Sequence, residues 1–244
     1  MRWLTTQRNL SISHIAGDIA FFFDDDTVLG RNYMESCVEV LAAGDHVAGV
    51  QGTMIDGSIA ATRHRATQWL QRIFLVQSLA DGRVHCSGYP AKLRDPRVVS
   101  RVEWLSGGLC CYRTALLQAE HWDENIPSPG CEDNEFSYRV SRKYALCEIP
   151  EARIEHRHTP AGRRRPTSQI ARRLFSHYYF AQKHYSQSPW NWLPVLWAGI
   201  GLSLGSFGKF GVCLDSLVGV AKGHQLALAC LFGKVPTLAD WDRI

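Results

Sequence analysis

The stretch that decides the fold is DIAFFFDDDT, residues 18–27. Its apolar run at 19–23 is typical of a strand buried in a parallel sheet, and it ends abruptly in three aspartates. Three adjacent carboxylates repel one another, which raises the pKa of at least one of them unless a cation or solvent neutralises the group. In an extended chain Asp24 and Asp26 point the same way and Asp25 points the opposite way. Hard oxygen ligands of this kind suit Mg²⁺ or Mn²⁺ on a diphosphate, and the alternative is a solvated acidic loop.

Strands and helices are predicted to alternate around this run. Apolar periodicity and turn residues predict helices at 2–16, 32–43, 63–80, 114–119 and 132–143, and strands at 47–53, 102–105, 146–149 and 152–156. Residues 81–101, rich in Gly, Pro, Arg and Ser, predict a long loop of the kind that is usually functional. The alternation favours an α/β sandwich with a largely parallel sheet.

Several motifs, in order, carry a resemblance to a known family. They are QRNL (7–10), AGDI (16–19), FFDDDT (22–27), WLSGG (104–108), GCEDNEFSYR (130–139) and PEARIEH (150–156). Together they resemble the family 2 glycosyltransferases, with residues 22–27 matching the D-x-D motif. The resemblance implies the GT-A fold of nucleotide-diphospho-sugar transferases, a mixed and mostly parallel sheet with flanking helices.

The resemblance also implies a donor site. Asp24 and Asp26 would hold a Mg²⁺ or Mn²⁺ ion on the donor diphosphate, and His156 would complete the metal shell or contact the diphosphate. Asp25 and Arg8 would lie at the same diphosphate. The arginines of the following basic segment could reach the phosphates or anionic lipid head groups, because guanidinium forks match phosphate geometry; they are Arg163, Arg164 and Arg165.

A second set of residues is implied for catalysis and for the acceptor. Asp133 would be the general base that takes the proton of the acceptor hydroxyl, with Glu132 as the alternative base or a simple acid at a helix start. Gly107 and Gly108 would let the backbone approach the sugars closely, beside Trp104.

Two regions are expected, a partial catalytic domain at 1–160 and a basic, aromatic helical tail at 161–244. Compared with the family, the first nucleotide-binding strands are missing before Met1. A catalytically incompetent membrane-surface module or fragment is therefore an alternative to an active transferase. A phosphohydrolase of the haloacid dehalogenase type also fits residues 21–28, with Asp24 as nucleophile, but the lysine it needs is not in a matching context.

The tail is predicted to lie on a membrane. Residues 156–214 contain no Asp or Glu but eight Lys or Arg, although the whole chain has a net charge of only +4. Residues 190–207 carry no charge, which favours interfacial or re-entrant helices over a clean span, with a helical pair packed on the domain as the alternative. Aromatics there and in the preceding helix suit either a membrane interface or an ordinary helix face: His177, Tyr178, Tyr179, Trp190 and Trp192, with Lys183. Nucleic-acid binding is disfavoured, because the basic segment adjoins an apolar run.

The cysteine spacing and the N-terminal residues predict the cellular compartment of the protein. The eight cysteines form no C-x-x-C motif, and residues 1–7 lack the apolar run of a signal peptide. We therefore expect reduced thiols and a cytoplasmic protein at the inner face of the membrane. The predicted activity is metal-dependent, inverting transfer of a sugar from a nucleotide diphosphate to a hydroxyl of a glycan or lipid-linked acceptor, in cell-surface polysaccharide or glycolipid synthesis.

Overall fold

The computed structural model describes residues 4–55, 65–76, 82–90, 96–126, 131–157, 165–185, 188–237 and 240–241. The helices are α1 Leu4–Ile12, α2 Tyr33–Ala42, α3 Arg65–Ile73, α4 Thr114–Ala119, α5 Glu132–Ser141, α6 Pro166–Tyr185, α7 Trp192–Phe210 and α8 Leu214–Leu231. The strands are β1 Ile19–Phe23, β2 Thr27–Leu29, β3 Val47–Ile55, β4 Ser100–Val102, β5 Leu109–Arg113 and β6 Ala145–His156.

The strands form one mixed sheet in the order β1-β5-β3-β6-β2, with β4 also paired to β6. Strands β3 and β6 run parallel, and the other pairings among the described strands are antiparallel. Because β5 runs against both β1 and β3, strands β1, β3 and β6 all point the same way. The predicted α/β class is confirmed.

The sheet differs from the sequence prediction in how few of its neighbouring strands are parallel. Strand β5 was missed altogether, and it separates β1 from β3 as an antiparallel strand. Strand β1 is half-buried rather than buried, because within the described sheet it lies at an edge. The predicted strands at 146–149 and 152–156 are one continuous strand, whose first half pairs with β4 and whose second half pairs with β2.

A hydrophobic core lies on each face of the sheet. One core contains Tyr33, Cys37 and Leu41 of α2, and the other contains Trp122 and, from α5, Phe136. Neighbouring residues of β5 point to opposite cores, as the two-residue period of a strand requires: Cys110 joins the second core and Cys111 the first. The sheet is thus sandwiched between α2 on one side and α1, α4 and α5 on the other.

Helix α6 connects this sandwich to the last two helices. Gly219 and Gly223 of α8 face α6 so closely that added methyl groups would press on Ile170 and Leu174. For the aromatic residues of α6, the membrane-interface alternative is wrong. His177 and Tyr178 are buried, and Tyr179 donates a hydrogen bond to Asp123 at 2.8 Å, because α6 is covered by the sandwich on one side and by α7 and α8 on the other.

By length and composition, one described helix could cross a membrane: the segment Pro189–Phe210, of which 39% is buried. It consists of a short turn, Pro189–Asn191, followed by α7. The inner face of α7, including Val195 and Leu202, packs into the helical core, whereas its outer face is apolar and exposed.

Candidate metal and sugar-nucleotide site

Three predicted ligands meet at one edge of the sheet. Asp24, Asp26 and His156 each offer one ligand atom, and these atoms all lie within 4.8 Å of one another. His156 Nε2 is 3.1 Å from Asp26 Oδ1 and 3.6 Å from Asp24 Oδ2. Two carboxylates and an imidazole are ligands that Mn²⁺ and Mg²⁺ accept, so the donor set fits the predicted divalent cation.

A turn, rather than an extended chain, brings the two aspartates together. The backbone N–H and the hydroxyl of Thr27 both donate to the carbonyl oxygen of Asp24, at 3.3 and 2.7 Å. The turn leads directly into β2, whose Thr27 pairs with His156 at the end of β6. Asp24 and Asp26 do point the same way, as predicted. The cause is this turn, however, and not an extended backbone.

The glycine pair of the predicted acceptor loop lies against both acidic groups. A Cβ at Gly108 would overlap the Asp24 carboxylate, and a Cβ at Gly107 would overlap the side chains of Asp133 and Arg8. The Asp24 N–H donates to the Gly108 carbonyl at 3.1 Å. Only residues without a side chain allow this approach, so the glycine pair sets the spacing between Asp24 and Asp133.

Asp133 is held in place from two sides. Its Oδ2 accepts a 2.9 Å hydrogen bond from the Gly107 N–H, and its Oδ1 forms an ion pair with Arg8. Arg8 also donates to the Gly107 carbonyl at 3.1 Å. Burial acts to lower the pKa of Arg8, but Asp133 outweighs it and the net pKa is raised, so Arg8 stays a cation. Arg8, predicted at the donor diphosphate, thus lies beside the predicted base.

Sequence reasoning missed a polar group inside the sheet that positions the same loop. Gln51 accepts a 2.7 Å hydrogen bond from the Ser106 N–H and donates at 2.9 Å to Glu148, which also accepts from Thr53 at 3.2 Å. Gln51 and Glu148 are buried. The available signal was Gln51 within the otherwise apolar run at 47–52 and Glu148 within the otherwise apolar run at 145–149.

A second acidic group was also missed. Glu135 is fully buried and contacts Lys183 at 2.9 Å, Arg139 at 3.2 Å and His184 at 3.2 Å. Burial acts to raise the pKa of Glu135, but the hydrogen bond from His184 and the nearby Arg139 and Lys183 outweigh it and lower the pKa to about 2. Lys183 also pairs with Asp123 at 2.7 Å, so these contacts fix α6 to the sandwich.

The remaining predicted site residues are scattered. Asp25 is exposed, Glu132 is buried at the start of α5, Trp104 is half-buried just before the glycine pair, and Arg165 is exposed at the start of α6. Arg163 and Arg164 lie outside the described residues. Asp133 and the glycine pair are therefore brought together with Asp24, Asp26 and His156, whereas the role of the arginine run stays a prediction.

No protein-family model matches the sequence, and no curated protein matches it. Solved structures match its fold. The crystal structure of GalNAc-T7 with UDP, GalNAc and Mn²⁺ superposes with a TM-score of 0.54 at 12% identity, covering 92% of this chain and 41% of that one. The mannosyltransferase PcManGT from Pyrobaculum calidifontis, with GDP-Man and Mn²⁺, superposes with a TM-score of 0.48 at 18% identity, covering 98% of this chain and 58% of that one.

The first of these similarities, together with the mixed sheet and flanking helices, establishes a GT-A glycosyltransferase fold. The second is too low to add to that assignment. The chain spans well under two thirds of the length of both structures. A haloacid dehalogenase fold is excluded by this architecture, and Lys143 pairs with the carboxylate of Glu120.

Proposed function

We propose that this chain is a metal-dependent glycosyltransferase of the family 2 type, which transfers a hexosyl or deoxyhexosyl group from a nucleotide-diphosphate sugar to an acceptor hydroxyl. The observation that carries the proposal is the convergence of Asp24, Asp26 and His156 beside the Gly107–Gly108 loop. A divalent cation bound there would offset the negative charge that develops on the departing nucleotide diphosphate.

Asp133 is the group that accepts the acceptor's proton in this proposal. It lies across the glycine pair from Asp24, so a sugar placed over the glycines would be flanked by both. Arg8 and the Gly107 N–H orient the carboxylate, which leaves its remaining lone pairs for a hydroxyl. Attack from the face opposite the diphosphate would invert the anomeric centre.

We also infer that the chain lies on an anionic membrane, at the cytoplasmic face, where a glycan or lipid-linked acceptor is built into polysaccharide or glycolipid. Helix α7 exposes Leu196, Trp197 and Ile200 along its outer face, and α3 exposes Trp69 and Leu70 beside it. The two helices are joined, because the Trp197 indole N–H donates to the Ile73 carbonyl at 2.7 Å and the Trp197 ring stacks on Phe74.

This two-helix apolar face is rich in tryptophan and includes cations. Arg72 on α3 and Lys209 at the end of α7 are exposed, and each would add about 1 kcal/mol of attraction near an anionic surface. Trp and long aliphatic side chains beside such cations are typical of helices that lie in the lipid head-group region. A vesicle is therefore the occupant proposed for this face, rather than nucleic acid.

Vesicle flotation tests the membrane part. The wild-type chain is expected to float with phosphatidylglycerol vesicles, and Ile200→Glu with Leu204→Glu should abolish flotation. Val38→Glu on α2, an equally exposed apolar position away from this face, is the control. Flotation that survives the double substitution would contradict the membrane face.

Calorimetric titration of UDP, GDP and dTDP, with and without Mn²⁺, tests the transferase. Binding of one nucleotide that requires Mn²⁺ and is lost in Asp26→Ala would support the proposal and identify the donor class. If a folded sample binds none of them, the chain is instead a catalytically incompetent membrane-surface module or fragment of such an enzyme.

A further inference from the structure

The hydroxyl group of Tyr33 lies between two strands of the sheet. Tyr33 is the first residue of α2, is 1% exposed, and lies in the first core on the same face of the helix as Cys37 and Leu41. Its oxygen accepts a 2.9 Å hydrogen bond from the Gly52 N–H of β3 and donates to the Leu109 carbonyl of β5. Burial raises the pKa of Tyr33, so the hydroxyl keeps its proton and fills both roles at once.

This hydroxyl takes the place of a backbone hydrogen bond of the sheet. Strands β3 and β5 pair in antiparallel register as far as Gln51 and Cys110, where their pairing ends. The next pair in the same register would be Gly52 with Leu109, and these are the two residues that the hydroxyl bridges. A Cβ at Gly52 would overlap the Tyr33 ring, so the glycine permits the insertion. An oxygen atom between the N–H and the carbonyl holds the strands further apart than a direct hydrogen bond of about 2.9 Å would.

The place where the two strands diverge adjoins the glycine pair. Leu109 directly follows Gly108, and its partner in β1 is Phe23, which directly precedes Asp24. The Tyr33 ring packs edge-on against the Phe23 ring, with 5.7 Å between the ring centroids. Tyr33 therefore contacts both members of the last β1–β5 pair. The next contact between the two chains is the hydrogen bond from the Asp24 N–H to the Gly108 carbonyl.

The turn that contains the glycine pair is tied down at both ends by buried side chains. At its start, the Ser106 N–H donates to the Gln51 side chain at 2.7 Å. At its end, the Leu109 carbonyl accepts from the Tyr33 hydroxyl. Within the turn, the Leu109 N–H donates to the Ser106 carbonyl at 3.2 Å. The position of the glycine pair therefore depends on Tyr33 at one end as it depends on Gln51 at the other.

We propose that Tyr33 is a positioning residue of the candidate site: its hydroxyl sets where the glycine pair lies, and through that pair the spacing between Asp24 and Asp133. The inference rests on the proposed transferase function and adds to it a residue that acts through Leu109 and Phe23 rather than through contact with substrate. Asp24 is a proposed metal ligand and Asp133 the proposed base. A change in their spacing therefore alters the geometry in which donor and acceptor meet.

Tyr33→Phe tests the proposal, because it keeps the ring and removes only the hydroxyl. The Gly52 N–H and the Leu109 carbonyl would then either pair directly, which draws β5 towards β3, or lose their partner, which loosens the end of the turn. In calorimetry with UDP, GDP and dTDP, Mn²⁺-dependent affinity for the nucleotide that the wild type prefers should fall by about tenfold, the lower end of the loss expected when a residue that orients metal ligands is changed.

Tyr112→Phe is the matched control. It also removes one buried tyrosine hydroxyl, but that hydroxyl lies 3.1 Å from Ser137 of α5 and does not bridge two strands. Both variants should lower the melting temperature, and only Tyr33→Phe should lower the nucleotide affinity. Equal nucleotide affinity in the wild type and in Tyr33→Phe, with a lowered melting temperature, would mean that Tyr33 has only a structural role and would overturn the inference.

Nuclear magnetic resonance of the whole chain observes the glycine pair without any nucleotide. The amide resonances of Gly107 and Gly108 should shift in Tyr33→Phe and stay in place in Tyr112→Phe. The Gly107 amide should also exchange with solvent faster in Tyr33→Phe, because its hydrogen bond to Asp133 is weakened. Glycine resonances that do not move in Tyr33→Phe would contradict the inference.

The two measurements separate this inference from the proposed function. If the folded wild type binds no nucleotide, the transferase proposal fails, and the glycine resonances alone decide whether Tyr33 sets the position of the turn. If the wild type binds a nucleotide, the affinity of Tyr33→Phe decides whether that position matters for the donor site.

Discussion

The structure contains two acidic groups that differ in how their charge is balanced. At the edge of the sheet, Asp24 and Asp26 face His156, and among the described residues neither aspartate has a lysine or arginine within ion-pair distance. At the α5–α6 junction, buried Glu135 contacts Arg139, Lys183 and His184.

The difference separates the proposed binding site from a structural site. Glu135 is stabilised as an anion by cations of the same chain, so its charge holds two elements together. The carboxylates of Asp24 and Asp26 are partly exposed to solvent and lie close to each other, an arrangement that a divalent cation on a diphosphate would complete. Four predictions test this contrast, from the largest expected effect to the smallest.

Asp133 lies between these two groups, because it has one cationic partner, Arg8, and still has lone pairs left for a substrate hydroxyl. Asp133→Asn should lower the turnover of sugar transfer by about 10²–10⁴-fold, the usual contribution of a general base, while leaving nucleotide affinity unchanged. Glu132→Gln is the control, since Glu132 is buried at the helix start. If Glu132→Gln shows the larger loss in turnover, Glu132 is the base.

Asp26→Asn removes a ligand from the group that lacks a cation of its own. Mn²⁺-dependent nucleotide affinity should fall by at least about 100-fold, since even residues that only orient metal ligands contribute up to that much. The melting temperature should stay the same or rise, because a repulsive pair is removed. Asp25→Asn, exposed on the same turn, should change the affinity little. Unchanged affinity in Asp26→Asn would assign the metal elsewhere.

Glu135→Gln should have the opposite profile, with lower stability and unchanged nucleotide affinity. The pKa of Glu135 is lowered from 4.5 to about 2 in the folded chain. Its ionisation therefore contributes on the order of 3 kcal/mol, which is fully present above about pH 4.5 and is lost as the pH falls towards 2.

Urea unfolding at several pH values measures this contribution. The difference in unfolding free energy between the wild type and Glu135→Gln should be widest near pH 7. It should become smaller as the pH falls from 4.5 towards 2. Glu39→Gln, at an exposed position on α2, should show no gap. A gap of constant size down to pH 2 would mean that the charge of Glu135 is not what holds α6 to the sandwich.

Gln51→Leu tests the buried polar group that supports the glycine pair. It leaves the Ser106 N–H and Glu148 without Gln51 as a partner, which should cost about 1–3 kcal/mol of stability. Because the Ser106 loop continues into Gly107 and Gly108, a smaller loss of nucleotide affinity should accompany it. Thr53→Val, which touches Glu148 but not Ser106, should lower stability without lowering affinity.

The sequence predicted the α/β class, most helices and the convergence of Asp24, Asp26 and His156, because these follow from local apolar periodicity and ordered motifs. It did not predict β5, whose residues LCCYR form a short apolar run directly before α4 that also fits a helix. The packing of α6 was also missed, because an aromatic and basic helix has the same sequence pattern whether its rings contact lipid or protein.

Long-range partners were the least predictable part of the site. Arg8 and Asp133 are 125 residues apart, and Gln51 and Glu148 are 97 apart. No periodicity links such pairs, and a polar residue inside a strand shows only that it needs a partner. Tertiary packing determines which partner it finds.

Anomalous scattering from a crystal of the chain grown with Mn²⁺ and the nucleotide diphosphate that binds best tests the central claim most directly. We expect a manganese peak within about 2.0–2.2 Å of an oxygen of Asp24 or Asp26, next to His156 and bridging the diphosphate, the distance found for small divalent cations on oxygen ligands. A nucleotide bound without manganese at these residues, or a manganese peak at another acidic group, would contradict it.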